Sequence, residues 1–68
     1  MSRLDFTFVG TTNKSLSLDP AEFRGQSINR ITSEVQRVLR EIAPEVSFFT
    51  DDIVLAAEQL ANEATAAE

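Results

Sequence analysis

Few residues in this chain have side chains that could do chemistry. Asp51 and Asp52 form its one adjacent carboxylate pair. Carboxylate oxygens suit hard cations such as Mg²⁺ or Ca²⁺. Neighbouring residues on a helix point apart, however, and no third carboxylate is spaced to join them. The pair therefore reads as first-turn acids placed favourably against a helix dipole. His, Cys and Tyr are absent. The commonest general base, the thiol nucleophile and the usual zinc ligands are missing with them. Lys14 is the sole lysine and falls in a predicted loop, where it reads as a solvated charge. The serines have no imidazole to activate them. Gly10 and Gly25 are the only glycines, so neither a phosphate-binding loop nor a dinucleotide fingerprint can be written. They read as a turn glycine and a glycine that weakens a helix. The expectation is a protein that is not an enzyme and has no cofactor and no metal site.

Binding chemistry is the remaining possibility. Arg30, Arg37 and Arg40 fall on one predicted helix, but Glu34 and Glu41 stand among them and oppose attraction to phosphate. Phe6 and Phe8 can stack on bases in principle, yet their alternation with polar residues assigns them to a core. Nucleic acid is accordingly not an expected partner. Eleven acids interspersed with six bases give a mixed surface, not the one-signed surface of a DNA mimic.

The elements that hold these residues follow from periodicity. Leu4-Asp5-Phe6-Thr7-Phe8 alternates apolar and polar side chains, the period of a half-buried strand. Val9 falls on the other face at its end. Gly10 to Lys14 reads as a turn, and Ser15-Leu16-Ser17-Leu18 alternates again, which predicts a β-hairpin. Asp19-Pro20-Ala21-Glu22 has the residues of a helix start: a cap, a proline at the first position and an acid in the first turn. Beyond it, either one helix passes through Gly25 or a short helix ends there and another begins at Ser27. Ile28, Ile31, Val35, Val38, Leu39 and Ile42 fall within about 100° of helical wheel. Ile31, Val35, Val38 and Ile42 are expected to be buried. Pro44 closes this helix. Val46 to Phe49 is a short strand or a connector. Thr50 is a suitable cap for a second helix, with Phe49 and Val54 spaced as a hydrophobic staple. That helix runs to about Asn62 or beyond, and residues 63–68 are expected to fray.

The fold class is therefore α+β: an N-terminal β-hairpin, a long amphipathic helix, a short strand or connector, and a second helix. A helical hairpin carrying an N-terminal β-ribbon is the alternative. In element order alone, a strand followed by two helices resembles the ribbon-helix-helix class of dimeric repressors. The outward residues Asp5 and Thr7, an acid and a neutral hydroxyl, are not the basic and amide side chains that such a reader needs.

The 68 residues allow a single domain, spanning 1–68. A core of this size supplies little net stability, and without cysteines no disulfide can add to it. Self-association is the remaining aid. The second helix is also apolar on more than one side. Val54 lies about 100° from the Ile53 and Leu60 stripe, and Leu55 falls nearly opposite it. The strand Ser15 to Leu18 has no Lys or Pro within it to discourage pairing. Val54, Leu55, Leu16 and Leu18 are thus the candidate interface residues. The sequence predicts a small acidic interaction module with formal charge −5, an adaptor, assembly subunit or inhibitor that forms homo-oligomers and binds another protein. Short acidic inhibitors of this kind include those encoded by phages and mobile elements. A dimeric transcriptional regulator or antitoxin is the second reading. Neither a secretory leader nor a membrane-spanning run is visible, so the expected location is cytoplasmic.

Overall fold

The computed structural model describes residues 3–66. Strands β1 (Leu4–Phe8) and β2 (Lys14–Leu18) pair antiparallel as a two-stranded sheet. The register sets Leu4 opposite Leu18, Phe6 opposite Leu16 and Phe8 opposite Lys14. Alternation then sorts the faces: Leu4, Phe6, Phe8, Leu16 and Leu18 turn inward, while Asp5, Thr7, Ser15 and Ser17 turn to solvent. Arg3 reinforces the open end, donating to the Ser17 carbonyl at 2.7 Å and to its hydroxyl at 3.1 Å.

A single 3₁₀ turn, Pro20–Phe23, follows. The Asp19 carboxylate accepts from the Ala21 amide at 3.0 Å, as a cap should. Gly25 takes φ +79, a left-handed value that ends the turn and separates it from the next helix. The two-helix version of the sequence reading is the one realised. Helix α1 (Ile28–Ile42) is capped by the Ser27 hydroxyl, which accepts from the Arg30 amide at 3.2 Å. It stops before Pro44. Helix α2 (Thr50–Ala66) continues through the region expected to fray, and Ala64 is buried. Residues 67 and 68 lie outside the described residues.

The core joins the inner faces of all these elements. Phe8, Phe23, Ile31, Val35, Leu39, Ile53, Ala56, Ala57 and Leu60 form one buried cluster. Small residues on α2, notably Ala57 with no exposure, let α1 and α2 approach closely. On α1 the buried line steps by four, through Ile31, Val35, Leu39 and Ala43. Each step of four advances about 40° around the axis. By the last turn the contact has moved past Ile42, which is 49% exposed, and Val38 is only half-buried. The expected burial of those two residues is corrected by this slant.

Residues 46–49 form a connector, not a strand of the sheet. Its one ladder contact is an isolated antiparallel bridge between Phe48 and Gly10. Gly10 does not have positive φ, contrary to its reading as a turn glycine. Close approach explains it: a Cβ there would collide with the Ser47 carbonyl oxygen and press on Val46 and Phe48.

Candidate protein-interaction surface

The hairpin and α2 meet through backbone as well as side chains. The Val9 amide donates to Asp52 Oδ2 at 3.3 Å, and the Val9 carbonyl accepts from the Phe49 amide at 3.3 Å. These bonds fix the end of β1 against the start of α2. Asp52 is thus engaged by backbone while Asp51, its neighbour, is exposed. The adjacent carboxylates diverge as helical geometry requires. Among the described residues no group of three or more carboxylates is placed to hold a metal ion.

Three large apolar side chains stand exposed around this junction: Val9, Phe49 at 64% and Leu55 at 62%. The expected staple does not bury Phe49. Its amide is drawn to Val9 on the hairpin, which leaves the ring outside. Leu55 borders a hollow of about 200 Å³ between β1 and α2, shared with Phe6, Phe8, Asp52, Ala56 and Gln59. Within the core, Phe8 packs edge-on to Phe48 with centroids 6.4 Å apart.

Of the four candidate interface residues, Leu55 is the most exposed. Leu16 and Leu18 are half-buried on the inner face of the hairpin, paired across to Phe6 and Leu4. Phe6 touches both regions, since it is opposite Leu16 and lines the hollow with Leu55. Val54 is half-buried and points about 100° around the helix from Leu55, so the two do not share a face. Val9 and Phe49, both exposed, are not among the candidate interface residues of the sequence. The signal for Val9 was present in its position off the inner face of β1.

Charge is distributed unequally. On α1, Arg37 donates to Glu34 Oε2 at 3.0 Å and to Glu41 Oε1 at 2.8 Å. The hydrogen bond and charge of Arg37 lower the Glu34 carboxyl below its usual value, and Glu34 raises the Arg37 guanidinium in turn. Helix α2 carries Asp51, Asp52, Glu58 and Glu63 and no base. Asp51, Asp52 and Glu58 make no ion pair among the described residues. They stand four residues before, three before and three after Leu55, the spacings that place side chains beside one another on a helix.

A second hollow, of about 460 Å³, lies between the end of α1 and the connector, with Gln36, Arg40, Val46, Phe48 and Ile53 in its wall. It contains no paired acid and base. No helix among the described residues is long and apolar enough to cross a membrane. No protein-family model, no curated protein and no solved structure matches this chain.

Proposed function

We propose that this protein is a non-catalytic interaction module of the cytoplasm that assembles with copies of itself and binds another protein, as an adaptor, assembly subunit or inhibitor. The observation that carries the reading is the incompletely covered hairpin. The sheet has only two strands, so β2 is an edge strand, and it is β1 that makes the closer contact with α2. Its inner residues Leu16 and Leu18 stay half-buried. An edge with unpaired backbone groups pairs readily with another chain. Pairing β2 with its two-fold mate would extend two strands to four and cover the leucines in one step. The small core gives such burial a large relative weight, because about 1–2 kcal/mol is a sizeable part of a small domain's stability.

Light scattering with size exclusion across a dilution series tests this, read together with amide exchange. A dimer mass is expected at high concentration, with β2 amides that exchange more slowly as concentration rises. A monomer mass throughout, with β2 exchange independent of concentration, would remove self-association. The alternative of a dimeric transcriptional regulator or antitoxin has weaker support, because Arg37 is occupied by Glu34 and Glu41.

A further inference from the structure

We propose that the groove between β1 and α2 docks a basic, apolar-anchored peptide segment of a partner protein. This rests on the interaction-module reading and names the chemistry of the partner. The groove offers apolar contact at two levels. Phe6, Phe8 and Ala56 form its walls, and Leu55 stands at its lip. Val9 and Phe49, joined by the bond from the Phe49 amide to the Val9 carbonyl, are exposed near the start of α2 but lie outside the groove's lining.

The rim carries one sign of charge. Asp51, Asp52 and Glu58 surround Leu55 at helical spacing, and α2 has no base to neutralise them. Isolated apolar exposure would be ordinary. An apolar anchor flanked by acids that form no ion pair among the described residues selects an occupant that combines apolar side chains with Lys or Arg. Electrostatic complementarity of this kind favours the right partner and repels acidic ones. It also argues against a second copy on this face. A two-fold contact would set the three acids of one α2 against the same three of the other, in a chain whose formal charge is already −5. Phosphate backbones and anionic lipid surfaces are excluded by the same sign. Self-association through β2 leaves this groove open.

A random peptide library displayed on phage and selected on the intact protein tests the proposal. Enriched peptides should carry Lys or Arg beside Leu, Ile, Met or aromatic residues. They should lose at least about tenfold in affinity for Leu55→Gln, whose helix and thermal transition stay unchanged because Leu55 is exposed. Asp51→Asn combined with Glu58→Gln should weaken the same peptides and flatten their salt dependence. Three results would overturn it: enrichment without excess Lys or Arg, binding indifferent to Leu55→Gln, or no enrichment. A dimer that Leu55→Gln dissolves would assign the face to a second copy instead. Failure here with a β2 dimer intact removes the groove's occupant alone. Loss of the dimer with peptide binding intact removes only self-association.

Discussion

Helices α1 and α2 pack on each other, yet they are built on different plans. α1 has one apolar stripe, and Arg37 satisfies its flanking acids within the helix. α2 buries Ile53 and Leu60 among alanines, leaves Leu55 outside and forms no ion pair among the described residues. The first helix carries its own charge balance on its surface. The second leaves Leu55, Asp51, Glu58 and Glu63 to solvent. A helix whose outer face is incomplete in both respects is where an interaction module would meet its partner.

The largest expected effect tests whether α1 centres the core. Val35→Asp places a charge with no partner in a site only 1% exposed. The cooperative thermal transition followed by circular dichroism should disappear. An unchanged transition would refute the assignment of this face.

Two leucines on α2 provide a comparison within one helix. Leu60→Ala should cost about 2–5 kcal/mol in denaturant unfolding, since Leu60 is fully buried. Leu55→Gln should stay within about 0.5 kcal/mol when the protein is dilute. Similar costs for the two would mean that the inner and outer faces of α2 are wrongly divided.

Gly10→Ala probes the join between hairpin and connector. Its Cβ would meet the Ser47 carbonyl, so one backbone segment must move. A loss of about 1–3 kcal/mol is expected from overpacking. Amide exchange at Phe49 should rise, because its bond to Val9 lies beside the displaced segment. Unaltered exchange there would show that the connector yields without loosening α2.

The smallest effect concerns the charges of α1. Arg37 lowers the Glu34 pKa, so the stability this pair adds is present above the ordinary carboxylate value, 4.5. It is lost as pH falls through the lowered value. Arg37→Gln should slightly flatten the acid side of a stability-against-pH curve and reduce its sensitivity to salt. A large loss at neutral pH would show that α1 relies on this pair more than two exposed side chains can explain.

Much of this architecture is written locally. The alternation in 4–8 and 15–18, the Asp19-Pro20 start, the Ser27 cap and the Pro44 stop each act over a few residues, and each marks the element it signals. The candidate interface was legible only in part. The position of Leu55 opposite the α2 stripe follows from helical period, whereas the exposure of Phe49 does not follow from any local signal.

What the sequence by itself determined is the order of elements, the inward face of each strand and the width of the α1 stripe, because these depend on backbone period and capping alone. Tertiary structure decided what is buried at the end of α1, where Ala43 is covered and Ile42 is 49% exposed. It also gave Gly10 and Gly25 their separate roles. A glycine needed for close approach and one needed for positive φ look alike in sequence, and only the packed neighbour Ser47 or the realised φ of Gly25 tells them apart. The joining of hairpin, connector and α2 has the same origin: the Val9 amide donates to Asp52 and the Val9 carbonyl accepts from the Phe49 amide, contacts that no local signal announces.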